Sequence, residues 1–144
     1  MGKCTKEFGV LVDTIITECS LYPPVNYTKQ PLPEPILVKE AMWDTGADVC
    51  VINKRIADRL GIIPTGQMAV DGVRGEDIAD ACHIHIKLPT NDYIMNVETI
   101  IRTKTDYDFV IGMNVIAHGD IAISTAYDKT VFSVRIPSEG HIKF

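Results

Sequence analysis

Long apolar runs, a basic surplus and paired cysteine motifs are all missing from this sequence. The longest apolar runs, such as Val110 to Ala117, fall far short of the ~20 residues a membrane-spanning helix needs, so no membrane partner is expected. Fourteen Lys+Arg against nineteen Asp+Glu give a net charge of −5 and a pI near 5.3. That balance argues against a general nucleic-acid binder, which needs a basic footprint. The N-terminus has no basic-then-apolar leader pattern, and Lys6 stands where a myristoylation signal wants Ser or Thr. The four cysteines, Cys4, Cys19, Cys50 and Cys82, are scattered with no C-x-x-C spacing. They are expected to be reduced thiols in a cytoplasmic protein. Aromatic residues make up only 7%, yet 46% of the chain is hydrophobic, enough for an ordinary core and against wholesale disorder. The length suits a single domain over residues 1–144.

What is present is mostly short β-pattern. Phe8 to Thr17 is rich in Val, Ile and Thr and is expected to be a strand. Five of the eight prolines fall between Pro23 and Pro35, so that stretch is a surface excursion rather than a central strand or helix. Ile36 to Trp43 is the next strand, and Val49 to Ile52 another. A short helix should follow, with Asn53 as N-cap and Gly61 as its stop. Met68 to Val70 and the residues from Glu76 onward flank Asp71-Gly72-Val73-Arg74-Gly75, a hairpin with a glycine-bearing tip. Cys82, Ile84, Ile86 and Leu88 alternate with His83, His85 and Lys87, which are expected to face solvent. Tyr93, Met95, Val97 and Ile101 mark a further strand. Phe109-Val110-Ile111 is continuous enough to be buried on both faces. Met113 to His118 suits a short helix stopped by Gly119. A closing hairpin follows, with Ile121 and Ile123 before a turn at Asp128-Lys129 and Phe132, Val134 and Ile136 after it. The expected fold is a closed, mostly β barrel with one or two short helices.

The chemistry concentrates in Trp43-Asp44-Thr45-Gly46-Ala47-Asp48. A strand places a carboxylate on a rigid element. The hydroxyl of Thr45 can bond a backbone or a symmetry mate, and Gly46 permits a tight turn with its N–H available to the carboxylate. The tripeptide alone is also an ordinary strand-to-turn junction. Its context is more specific, because a glycine-tipped hairpin follows it and Val110-Ile111-Gly112 comes later in the chain.

With these three elements the sequence resembles the retropepsin-like, or retroviral-type, aspartic proteases over roughly residues 36–137. The stretch Gly119-Asp120-Ile121-Ala122-Ile123 and Lys129-Thr130-Val131-Phe132-Ser133 is similar to bacterial single-domain members more than to viral ones. The resemblance implies a catalytic role for Asp44, with Thr45 and Gly46 supporting the active-site loop. It implies substrate contacts from Ala47, Asp48, Gly72, Val73, Arg74, Gly75 and Ile111, and a flap at the hairpin tip. Met113 stands where viral enzymes carry an arginine, and Asn114 where many cellular members have Asp. Neither metal nor other cofactor is implied.

Two carboxylates a few ångströms apart cannot both ionise cheaply, so they share a proton. The ionised one activates water and the protonated one polarises the peptide carbonyl. No other Asp in the chain is followed by Thr or Ser and then Gly. The expected enzyme is therefore a homodimer with one Asp44 from each chain, acting as an endopeptidase on a peptide or protein substrate with apolar side chains. A rival reading is a dimerisation or peptide-binding module of the same fold with little or no proteolysis. Two other constellations have simpler explanations. His83 and His85 could ligate a metal with His118 or His141, but they lack a spaced ligand set and suit a solvent-facing strand. Cys50 could be a nucleophile, but its apolar neighbours suit a buried, inert thiol.

Overall fold

The computed structural model describes residues 2–24, 33–72 and 75–144. Among these residues ten strands and two short α-helices follow one another, with a 3-10 turn at Ala126–Asp128 between the last two strands: β1 (Gly2–Glu7), β2 (Ile16–Tyr22), β3 (Ile36–Trp43), β4 (Cys50–Asn53), α1 (Lys54–Arg59), β5 (Gly66–Gly72), β6 (Gly75–Lys87), β7 (Tyr93–Arg102), β8 (Phe109–Ile111), α2 (Met113–Ile116), β9 (Asp120–Ser124) and β10 (Val131–Ile136). Six strands close a barrel in the order β2-β3-β8-β4-β7-β6, with β6 returning to β2. β5 extends the sheet beyond β6. β1, β10 and β9 form a separate three-stranded antiparallel sheet.

Two parallel pairings, β3 with β8 and β4 with β7, sit beside the antiparallel β4–β8 pairing. This wedges β8 between β3 and β4. It explains why Phe109 and Ile111 are fully buried and Val110 nearly so: strands covered on both faces carry unbroken apolar sequence. The core joins Leu21, Val38, Ala41, Ile52, Ile84, Ile86, Phe109 and Ile111 from the barrel to Phe132 and Val134 from the smaller sheet. Trp43 ties the two sheets together. Its ring lies 5.1 Å from that of Phe132, and its Nε1–H donates to Thr17 Oγ1 at 2.8 Å. The buried indole thus keeps a partner.

Helix α1 begins as expected. Asn53 Oδ1 accepts from the Arg55 N–H at 2.8 Å, satisfying a free N-terminal donor. Gly61, at φ +67°, ends it.

Several expectations fail for identifiable reasons. The single strand over Phe8–Thr17 is replaced by β1 and β2, separated by a loop. Gly9 adopts φ +75°, which breaks the extended path, and Thr130 N–H then bonds Val10 O. His85 does not face solvent; it is buried. The β6–β7 register shifts between Ile84 and Ile86, so Ile84, His85 and Ile86 are all covered. His85 Nδ1 accepts from the Asn96 N–H at 2.9 Å, and Asn96 itself takes φ +52°. The same bulge changes the phase of β7: Tyr93 and Met95 are exposed while Ile94 and Val97 are buried. Most of the proline-rich excursion, residues 25–32, lies outside the described residues, as do Val73 and Arg74.

The end of the smaller sheet is held by one carboxylate. Asp120 accepts from Ser138 Oγ at 2.6 Å, the Glu139 N–H at 2.8 Å and Arg135 Nε at 2.6 Å. These bonds, Ser138 first, hold the Asp120 carboxyl well below the usual carboxylate range. A lowered folded-state pKa contributes stability that is complete above the unfolded value of about 3.9 and fades as pH falls below it. Asp120→Asn should therefore be less stable than the wild type at pH 6, and the gap should narrow as the pH drops through about 4. Urea unfolding at several pH values checks this, and a gap that stays constant down to pH 2.5 contradicts it.

Candidate active site

Asp44 sits immediately beyond β3, where the strand turns into the loop that re-enters the barrel as β4. Its N–H donates to Ile111 O at 2.9 Å, so β8 fixes its backbone. Its Oδ1 accepts from the Gly46 N–H at 2.8 Å, and the Ala47 N–H reaches Asp44 O at 3.3 Å. The carboxylate is half-buried, while Thr45, Gly46 and Asp48 are exposed. Among the described residues none hydrogen-bonds the Thr45 hydroxyl.

The loop is braced from behind by the start of α2. Met113 N–H donates to Ala47 O at 2.7 Å, and Asn114 N–H to Asp48 O at 3.1 Å. Gly112 is required for this contact. A Cβ there would lie 2.6 Å from the carbonyl carbon and oxygen of Val49 and 2.9 Å from Ala47 O, all backbone atoms of the loop. Gly112→Ala should lower stability by about 3 kcal/mol, a fall of roughly 10 °C in the unfolding midpoint. Gly66→Ala is the control, since a Cβ there meets nothing within 4 Å. A Gly112→Ala midpoint matching the control contradicts the packing argument.

Asp44 lies where two clefts meet. One, of about 410 Å³, is lined by Asp44, Gly46, Ala47 and Asp48 together with Val49, Val51, Met68, Val70 and Ile100. The β5 arm of the hairpin forms one wall, so hairpin and loop share a cavity. The other, of about 340 Å³, adjoins Asp44 and Thr45 and is walled by Thr14, Met42, Ile121, Ile123 and Phe132. A carboxylate between an apolar-walled cleft and a second open face can serve as half of a paired acid–base centre.

The chain matches the family described as "gag-polyprotein putative aspartyl protease" over residues 38–118, more than half its length and including the Asp44 loop, the hairpin and Val110-Ile111-Gly112. The chain belongs to the retropepsin-like aspartic protease family. Solved structures carry the same fold at low identity. The retropepsin-like aspartic protease from Rickettsia conorii is 16% identical with a TM-score of 0.55, over 92% of this chain and 90% of that one. The retroviral protease-like domain of Ddi1 from Leishmania major is 21% identical with a TM-score of 0.50, over 92% and 100%. The EIAV protease complexed with the inhibitor HBY-793 is 18% identical with a TM-score of 0.53, over 74% and 88%. Comparison with curated proteins finds no match.

Within this retropepsin-like fold the expected residues divide into three groups. Asp44, Gly46, Ala47 and Asp48 line the larger cleft, and Thr45 lines the smaller. Gly72 and Gly75 face each other at the end of the β5–β6 ladder, while Val73 and Arg74 lie outside the described residues. Ile111 is placed differently: it is fully buried and lines neither cleft. Its carbonyl accepts from the Asp44 N–H. The cleft walls from Val51, Met68 and Ile100 were not singled out from the sequence, because they come from three separate strands. Ile121 and Ile123 were read only as hairpin residues.

The buried cysteines are not activated thiols. Cys4, Cys19, Cys50 and Cys82 are free thiols. Burial pushes Cys50 up to about 12, partly offset by the Gly112 N–H, and Cys82 up to about 11. A thiol so far above neutral pH is a poor nucleophile. No group of three or more potential metal ligands occurs among the described residues, and no helix among them is long and apolar enough to cross a membrane.

Proposed function

We propose that the protein is an aspartic endopeptidase that works as a homodimer, each chain contributing one Asp44. The observation that carries this reading is the half-buried Asp44 carboxylate, held by the Gly46 N–H at the junction of two clefts. One carboxylate cannot both activate water and polarise a carbonyl. A pair can, with one ionised and one protonated. Water attacks the scissile carbonyl as the ionised member takes its proton. The tetrahedral diol then collapses as a proton passes to the departing amine.

The second chain is expected on the Thr45 side. In the three-stranded sheet β1 is flanked by the barrel: a Cβ on Gly2 would meet Thr90 O, and Lys6 Nζ reaches Ile16 O at 2.7 Å. β9 is the other edge. Ile121 to Tyr127 contains no charge or proline, the usual guards of an exposed strand edge. Ile123, 53% exposed, lies in the same cleft as Asp44. A partner covering this edge would bury Ile123 and bring the second Asp44-Thr45-Gly46 loop opposite the first.

The substrate is an extended peptide in the larger cleft, beneath the β5–β6 hairpin acting as a flap. Val49, Val51, Met68, Val70 and Ile100 favour apolar side chains. Ala47 and Asp48 are positioned at its backbone. Each chain supplies one such domain. A peptide-library digest tests this reading: cuts flanked by apolar residues and unaffected by a chelator support it. Cuts flanked by charged residues contradict the specificity, and loss of cleavage with chelator contradicts the mechanism.

A further inference from the structure

Asn114 stands where many cellular relatives carry Asp, and its side chain bridges two elements behind the loop. Its Nδ2–H donates to Glu98 O on β7 at 2.8 Å. Its Oδ1 accepts from Cys50 Sγ at 3.3 Å, and Cys50 Sγ in turn accepts from the Gly112 N–H at 3.4 Å. Its own N–H holds Asp48 O. One half-buried side chain thus joins β7, the first residue of β4 and the start of α2, all around the loop that carries Asp44.

We propose that Asn114 is a positioning residue for the Asp44 loop, acting through Cys50 and the Glu98 carbonyl without touching substrate. This inference rests on the protease reading for its kinetic consequence, but not for its structural one. Cys50 suits the link chemically. It is fully buried, so its sulfur stays a neutral thiol that donates one weak bond and accepts another. The amide of Asn114 can donate to a carbonyl and accept from a thiol at once. An aspartate there would place a carboxylate against Glu98 O, which offers no proton. The loop returns to β4 at Cys50, so a slack return displaces Asp44 from its counterpart. A displacement of about 1 Å can cost on the order of 100-fold in rate.

The variants are Asn114→Ala, Asn114→Asp, Cys50→Ala, Cys50→Ser and the double Cys50→Ala/Asn114→Ala. Asn114→Ala and Asn114→Asp should lower kcat by roughly 10–100-fold, with KM changed by less than about 3-fold. Cys50→Ser, which keeps a donor and an acceptor, should recover most of the loss seen in Cys50→Ala. The double variant should be no slower than Asn114→Ala, because the two side chains act as one unit. Amide hydrogen exchange at Gly46 to Cys50 and at Gly112 should quicken in Asn114→Ala by about 10-fold over β3. Unchanged kcat, strictly additive losses or no rescue by serine would overturn the proposal. If the wild type cleaves no peptide, the protease reading fails separately, and the exchange experiment alone decides: no local quickening in Asn114→Ala overturns the positioning role.

Discussion

Asp44→Asn is expected to lower kcat/KM for a peptide substrate by roughly 100–10,000-fold, with fold and dimer intact. The magnitude follows from the loss of general acid–base chemistry, which supplies roughly 10²–10⁴-fold. Asparagine is nearly the same shape, and its side-chain oxygen can still accept the Gly46 N–H that now reaches Asp44 Oδ1. The change therefore removes the titratable proton while leaving the turn in place. A dimer of such chains has lost both Asp44 carboxylates that would activate water. Peptide hydrolysis monitored by mass, with circular dichroism and sedimentation as controls, checks this. Equal cleavage by variant and wild type sinks the acid–base assignment. A binding module of the same fold would instead show no cleavage by either.

The second large effect concerns assembly. Ile123→Asp is expected to yield monomers at concentrations where the wild type is dimeric, and to lower cleavage at least about 100-fold at equal chain concentration. An unpaired carboxylate buried at an interface costs about 2 kcal/mol or more; a two-fold dimer carries two, which corresponds to roughly 1,000-fold or more in the dimer constant. Within a single chain Ile123 is 53% exposed, so the substitution should barely alter the stability of the monomer. Ile63→Asp serves as control, since Ile63 is 80% exposed and lines neither cleft. A dimeric, active Ile123→Asp protein would move the interface away from β9.

Much of the local geometry around the candidate site is legible in the sequence because its determinants are local. Asp44-Thr45-Gly46 after an apolar strand, Asn53 as a helix cap and the glycines around the hairpin tip each act within a few residues. The unbroken Phe109-Val110-Ile111 run announced a strand covered on both faces, and the barrel places it between β3 and β4. What could not be read depends on partners distant in the chain. The burial of His85 arises from a bulge opposite Asn96, and a single strand's alternation carries no sign of its neighbour's register. Ile111 meets Asp44 through a backbone carbonyl, which has no side-chain signature. The Asn114–Cys50 contact joins residues that become neighbours only when α2 packs behind the loop. The break between β1 and β2 was the exception: its cause, Gly9, is local, but the surrounding β-formers outweighed it.

The central claim is that one active site needs an Asp44 from each of two chains. Co-refolding wild type with Asp44→Asn at constant total concentration, so that subunits assort at random, measures it directly. Activity should follow the square of the wild-type fraction, falling to about one quarter in an equal mixture. A linear fall, to about one half, would mean that a single chain carries a complete site and would contradict the account.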